Sequence, residues 1–195
     1  ALAAALALTA AIDSGPRTAG AAPAYARADT AAVHPGVQTF THGGQCTANF
    51  VFTDGADTYI GQAAHCSGTG AATDTNGCTA GTLPIGTEVQ VSGADHPGTI
   101  AYSSWNTMQA NGETDPDACA YNDLALVKLD PADVAKVNPS IPHWGGPTGL
   151  NTTGTTGTVY SYGNSSLRQC ITLLSPKLGL TSSTEANGWT HVVNT

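Results

Sequence analysis

Basic side chains are scarce in this 195-residue chain, which carries six Lys and Arg against fourteen Asp and Glu and a formal net charge of −8 at pH 7. Eleven of the acids lie between Asp29 and Asp130, a stretch in which Lys128 is the single base. A nucleic-acid-binding surface needs the opposite balance, because it must neutralise phosphates. The sequence therefore predicts no nucleic-acid partner, and an acidic surface on an exported protein accounts for the charge.

Long apolar runs are also lacking. Residues 1–12 are uncharged and apolar but too few to span a bilayer, and no other segment reaches that length, so no membrane partner is predicted. Small-residue cleavage patterns follow at Ala24-Tyr25-Ala26 and Ala26-Arg27-Ala28. Residues 1–28 are therefore predicted to be a secretory signal peptide, clipped at its start because no methionine opens it. A low-complexity alanine tract is the alternative.

No Cys-x-x-Cys pair occurs, which argues against a structural zinc site. The five cysteines stand alone in the sequence, at positions 46, 66, 78, 119 and 170. In a chain predicted to be secreted and extracellular, they indicate disulfides rather than reduced thiols.

Helical periodicity is almost absent after residue 28. Short runs rich in β-branched and aromatic residues recur between turn-forming Gly, Asn, Asp and Pro clusters, which is typical of an all-β protein. One or two helical turns are expected at residues 131–137, with Asp130 as cap, and residues 138–147 then interrupt regular structure. Candidate strands cover residues 47–53, 58–63, 87–92, 123–129, 157–162, 171–174 and 189–193.

Two polar residues stand at the ends of predicted strands. His65 follows an apolar strand and precedes Cys66, while Asp123 opens the alternating run that ends at Leu129. A histidine base whose tautomer is set by a carboxylate is what activates a serine hydroxyl. Taken alone, His65 could be a surface histidine, and Asp123 an ordinary aspartate in the turn before a strand.

Three segments together are more specific. They are Gln45-Cys46-Thr-Ala-Asn-Phe-Val-Phe, Ala63-Ala64-His65-Cys66 and Asn122-Asp123-Leu-Ala-Leu-Val. In this order they closely resemble the chymotrypsin-like (trypsin-like) serine proteases, above all secreted bacterial members, and the resemblance extends from about Pro35 to Thr195. It implies a secreted endopeptidase with a chymotrypsin-like double antiparallel β-barrel whose second barrel is incomplete. The expected divisions are a first barrel at 29–130, a linker at 131–147 and a partial second barrel at 148–195.

The resemblance also assigns roles. His65 would be the general base and Asp123 its orienting carboxylate. Cys46 and Cys66 would form a disulfide beside the base, which leaves Cys78 and Cys119 as a second pair. Cys170 would pair beyond Thr195 or remain a free thiol. The reaction would be hydrolysis of a protein or peptide substrate through an acyl-enzyme, by a monomer without metal or organic cofactor.

The G-D-S-G motif that carries the nucleophile in this family is absent from the chain. Gly163-Asn-Ser165-Ser166 is the nearest alternative, but no glycine follows it, and it lies where the family has a second-barrel strand. The final segment, 189–195, has the pattern of a strand without a turn after it. We therefore expect a chain truncated before its nucleophile, active as the full-length parent and inactive alone.

Three other functions remain open at this point. A non-catalytic homologue could act as an extracellular binding module, although such proteins commonly lose the histidine or the aspartate. A metal site could use His65, Cys66, Cys78 and Asp74, but their spacing matches no known ligand pattern. A carbohydrate-binding β module could use its tryptophans, Trp105, Trp144 and Trp189.

Overall fold

A computed structural model describes residues 23–71, 73–149, 157–168, 171–184 and 190–194. The predicted leader lies largely outside these ranges, as do Cys170 and Trp189. Across the described residues, no helix combines the length and apolar character that crossing a membrane requires.

The chain is built mainly from short strands with two helices between them. The first group of strands is β1 (Gln38–Thr41), β2 (Gly44–Thr47), β3 (Val51–Thr53), β4 (Thr58–Gln62), β5 (Glu88–Val91), β6 (Gly98–Ser103) and β7 (Ala125–Lys128). Helices α1 (Ser104–Asn111) and α2 (Pro116–Tyr121) separate β6 from β7. A second group follows as β8 (Thr158–Tyr162), β9 (Pro176–Thr184) and β10 (Thr190–Asn194).

The first seven strands form one antiparallel sheet in the order β2-β1-β5-β6-β7-β4-β3. Its two edge strands, β2 and β3, are consecutive in the sequence and joined by residues 48–50 alone. In a flat sheet these edges would lie about 29 Å apart, whereas the connection from Thr47 to Val51 spans at most about 14 Å. The sheet must therefore curl until its edges approach each other, as in a barrel.

Alternating side chains of the curled sheet fill its interior. Val89, Val91, Ile60, Ile100 and Val127 are buried there in one cluster. A second cluster forms where α1 packs against the sheet, and it includes Trp105, Met108 and Ala125. The smaller sheet, in the order β10-β9-β8, is also antiparallel. The predicted all-β class is confirmed, and the two sheets are consistent with a chymotrypsin-like fold.

Several local predictions were wrong. The predicted strand at 47–53 is two strands, because residues 48–50 carry the chain between the two sheet edges, with Ala48 hydrogen-bonded to Val37 and Asn49 to Gly61. Residues 171–174, also predicted as a strand, contain a 3-10 turn at Thr172–Leu174.

The two α-helices were not predicted. Helix α1 buries only Trp105 and Met108 besides its first serine, so its apolar face is too narrow to show as helical periodicity. It ends at Gly112, whose φ of 63° favours glycine. At 131–137 the predicted helical turns occur as a 3-10 helix, Pro131–Lys136, and Asp130 caps it by accepting from Ala132 N–H at 2.8 Å.

Candidate active site

His65 lies in a 3-10 turn, Ala64–Ser67, that begins two residues after β4. The turn is held from both sides. Cys66 is bonded to Cys46 of β2, and the fully buried Gln62 donates through Nε2 to Ser67 Oγ at 3.3 Å. The backbone that carries the histidine is thereby fixed to β2 and β4, while its ring remains about half exposed.

Asp123 lies between α2 and β7, on a segment held by a side chain that sequence reasoning missed. Ser104 is fully buried, and its Oγ donates to the carbonyl of Asn122 at 2.7 Å and accepts from Leu124 N–H at 3.0 Å. A serine at the start of a helix is usually read as a cap, so the sequence offered no signal for this role. Because both neighbours of Asp123 are held, its carboxylate has a defined direction.

The structure brings the two predicted site residues together. His65 Nδ1 lies 2.6 Å from one carboxylate oxygen of Asp123, and the other oxygen accepts from the backbone N–H of His65 at 2.8 Å. The carboxylate therefore fixes the ring and the main chain of the same residue. With Nδ1 engaged as a donor, the neutral imidazole has its lone pair on Nε2.

This pairing shifts both titrations. The hydrogen bond from the ring to Asp123 raises the pKa of His65, and the attraction of the carboxylate adds to it against an opposing effect of burial. Burial raises the pKa of Asp123, but hydrogen bonds from the His65 ring and backbone outweigh burial and leave the pKa lowered. Asp123 is thus ionised at neutral pH, ready to stabilise a protonated His65.

Two disulfides are present among the described residues. Cys46–Cys66 closes a 20-residue separation beside His65, and Cys78–Cys119 closes a separation of 41 residues. The second bond ties the loop before β5 to α2, the helix that leads into the Asp123 segment. The first bond therefore fixes the turn of His65 to β2, whereas the second joins a loop to α2 and does not touch the sheet.

A cavity of about 330 Å³ opens next to the His65 ring. The Cys46–Cys66 disulfide forms part of its wall, and Gln45 and Asp74 also line it. Within the described part of the chain, no hydrogen bond engages His65 Nε2. The ring thus presents a basic nitrogen at its exposed side.

The alternative metal site loses its support from these contacts. Cys46, His65 and Cys66 have ligand atoms within 4.8 Å of one another, but both sulfurs are in a disulfide, and Cys78 is likewise bonded. The metal set proposed from the sequence therefore offers no thiolate.

Trp105 belongs to the core and is not available to stack on a sugar, whereas Trp144 is partly buried, donates through Nε1 to Ser161 O at 3.1 Å and lines a cavity of about 750 Å³. The other serine candidates, Ser165 and Ser166, lie just beyond β8 in a turn whose backbone binds Gln45. Neither hydroxyl hydrogen-bonds to His65 in the described structure.

No family model matches the chain, and no curated protein matches it. Among solved structures, the chain is similar to Protease A of Thermobifida fusca, with 20% sequence identity, a TM-score of 0.48, and coverage of 84% of this chain and 68% of that one.

Proposed function

We propose that this chain is the histidine- and aspartate-bearing part of a secreted serine endopeptidase of chymotrypsin-like type. The observation that carries the proposal is the pair of hydrogen bonds that His65 donates to Asp123, through its ring Nδ1 and its backbone N–H, which gives the imidazole one tautomer and one orientation. The proposed divisions are those expected from the sequence, with a first barrel at 29–130, a linker at 131–147 and a partial second barrel at 148–195. The proposed substrate is a protein or peptide, and the proposed enzyme is a monomer.

The chemistry follows from the free ring nitrogen. His65 Nε2 would take the proton of a serine hydroxyl as the oxygen attacks the scissile carbonyl, and would return that proton to the leaving amine. During the attack the ring becomes cationic, and the neighbouring Asp123 carboxylate stabilises that charge. His65 would then take a proton from a water molecule, and that water would hydrolyse the acyl-enzyme. No step requires a metal or an organic cofactor.

The position of the site supports this assignment as well. His65 and Asp123 lie at the adjacent ends of two paired strands, β4 and β7, and the ring borders a cavity open to solvent. A buried ion pair inside the sheet would be inaccessible to a substrate, whereas a half-exposed imidazole is accessible. The nucleophile would have to approach from the exposed side of the ring, where the described residues leave Nε2 without a hydrogen bond.

The test uses the full-length protein and a serine-directed phosphonylating probe. We expect the wild-type protein to be labelled and the His65→Ala variant to lose labelling, because the hydroxyl then has no base. His96→Ala is the matched control, since His96 also contacts an aspartate, Asp133, at 3.1 Å but lies in the loop between β5 and β6. It should be labelled as the wild-type protein is.

Two results would contradict the proposal. A folded wild-type protein that is not labelled and does not cleave peptides would make the chain part of a non-catalytic homologue. Unchanged labelling of His65→Ala would show that another group is the base.

A further inference from the structure

The cavity beside His65 has a single carboxylate in its lining, that of Asp74. The other titratable side chains of this lining are the imidazoles of His42 and His65, and it contains no Lys or Arg. Asp74 reaches the cavity from the loop between the His65 turn and β5, whereas His42 comes from the tip of the β1–β2 hairpin. A molecule bound next to the His65 ring therefore meets a negative charge in the same cavity.

Local contacts define where the Asp74 carboxylate lies. Its backbone N–H donates to Ala71 O at 2.9 Å, and a Cβ placed on Gly70 would lie 3.0 Å from Asp74 Oδ2. Because Gly70 lines the same cavity, the carboxylate lies against the cavity wall. At the base of the loop, Thr69 N–H donates to Gly81 O at 2.9 Å. Hydrogen bonds of the backbone thus hold both the base of the loop and the residue that carries the charge.

Asp74 has no cationic partner in its own part of the sequence. Lys128 is the single Lys or Arg between Asp29 and Asp130, and its Nζ lies 2.6 Å from Asp57. None of the ion pairs among the described residues involves Asp74, which is exposed and accessible to a ligand. A cation that enters the cavity would therefore find this carboxylate available for pairing.

We propose that Asp74 makes the cavity a subsite that favours a basic side chain on the leaving-amine side of the scissile bond. The inference rests on the proposed function. His65 returns its proton to the leaving amine, so the residue that carries this amine lies next to the His65 ring and the cavity. Arg or Lys at that substrate position pairs with Asp74. The expected preference over a neutral side chain of the same shape is about fivefold, the size expected of an exposed ion pair.

The experiment isolates the leaving-amine side by acyl transfer. The full-length protein is acylated with p-nitrophenyl acetate, and arginine amide or citrulline amide is added as the acceptor amine. The acceptor nitrogen attacks the acyl-enzyme carbonyl, an amide bond forms and the bond from carbon to the serine oxygen breaks. His65 carries the proton from the amine to that oxygen. Citrulline amide has nearly the shape of arginine amide without its charge, so the ratio of the two acetylated products measures the preference for charge.

We expect arginine amide to react about fivefold better than citrulline amide in the wild-type protein. Asp74→Asn should remove this preference, and Asp74→Lys should invert it because the wall is then positive. Glu88→Gln is the matched control, since it removes a charge from an exposed position on β5 outside the cavity and should keep the preference. Added salt should weaken the preference of the wild-type protein by screening the pair.

The outcomes separate this inference from the proposed function. An acyl-enzyme that accepts both amides equally, or an Asp74→Asn variant that keeps the preference, would overturn the inference and leave the peptidase intact. A protein that forms no acyl-enzyme would contradict the proposed function.

In that case, NMR titration of the His65 ring protons with each amide tests the charge selection of the cavity by binding alone. Arginine amide should bind about fivefold more tightly than citrulline amide, and the difference should be absent in Asp74→Asn. Equal binding of the two amides to the wild-type protein would overturn the inference.

Discussion

Asp123 binds His65 twice, through the ring at 2.6 Å and through the backbone N–H at 2.8 Å. The two oxygens of one carboxylate thus define both the orientation of the imidazole and the path of the chain that carries it. Asn at this position would keep one oxygen for the backbone N–H but lose the acceptor of the ring, so Asp123→Asn should affect the ring more than the fold.

The first prediction concerns the titration of His65. Asp123→Asn removes the hydrogen bond and the charge that raise the pKa of His65, while the burial that lowers it remains. The His65 pKa should fall in the variant, as measured by NMR titration of the ring protons. Asp74→Asn is the control, because it removes a charge from the same cavity without breaking the contact. An unchanged pKa in Asp123→Asn would contradict the pairing. In the full-length protein, the proposed peptidase activity of the same variant should fall about 10⁴-fold in turnover.

The second prediction concerns how much each of the two disulfides contributes to stability. The chain-entropy relation gives each about 3–4 kcal/mol of stability, with the longer Cys78–Cys119 loop slightly ahead. Denaturant unfolding of the Cys46→Ala/Cys66→Ala and Cys78→Ala/Cys119→Ala variants should show losses of that size.

The two pairs of substitutions should differ in their effects on probe labelling of the full-length protein. Loss of the first bond releases the turn that carries His65, so labelling should slow even where the protein is still folded. Loss of the second should leave labelling of the folded fraction nearly unchanged. Equal effects on labelling would show that the first bond does not position the base.

The third prediction concerns acid stability. Asp133 is 1% exposed and accepts from the backbone N–H groups of Asp95 and His96 and from the side chains of His96 and Lys136. Burial raises the pKa of Asp133, but the hydrogen bonds from these donors lower it by more than burial raises it. The pKa of Asp133 in the folded protein therefore lies well below its usual value. A carboxyl group with a lowered pKa stabilises the fold above its unfolded pKa of about 3.9 and loses that effect as the pH falls further.

Asp133→Asn should therefore lower the free energy of unfolding by about 2–3 kcal/mol at pH 7 and by less near pH 3. Urea unfolding at both pH values measures the difference. Asp57→Asn, which removes a partly exposed contact to Lys128, should change stability by no more than about 1 kcal/mol. An equal loss for Asp133→Asn at both pH values would contradict the role of its charge.

The fourth prediction concerns the junction between the sheets. The backbone N–H of Asn164 donates to Thr47 Oγ1 at 2.9 Å, and its side chain donates to Gly36 O at 3.0 Å. Asn164→Ala and Thr47→Val should each cost about 1–2 kcal/mol. Because both act on one turn, the double variant should lose less than their sum, as a double-mutant cycle would measure. Strict additivity would show that the two bonds are independent.

The sequence predicted best where the structure depends on local pattern. The strands at 58–63, 87–92 and 123–129 were placed to within two residues. Burial alternates along β5 and β7, whereas β4 is buried at four of its five residues and was predicted from its β-branched and aromatic side chains. The pairing of His65 with Asp123 came from the resemblance of their flanking segments. No local pattern relates two residues from separate strands.

The sequence predicted least where polar residues are buried by distant partners. Gln62 and Ser104 look like ordinary surface residues, yet both are fully buried and support the turn or segment beside a site residue. Helix α1 was not predicted because it is stabilised by the packing of Trp105 against the sheet more than by its helical propensity. These features depend on tertiary contacts that a single sequence does not display.

The pairing of β4 with β7 has a consequence for how this protein can vary. The last residue pair between these strands is Gln62 with Ala125. His65 therefore follows Gln62 by three residues, and Asp123 precedes Ala125 by two. An insertion in either of these two short spacers would pull the imidazole and carboxylate apart, whereas lengthening the hairpin tips at Gly43 or Gly55 would leave them in contact. Tolerance to length changes should therefore be high at those tips and vanish at the spacers.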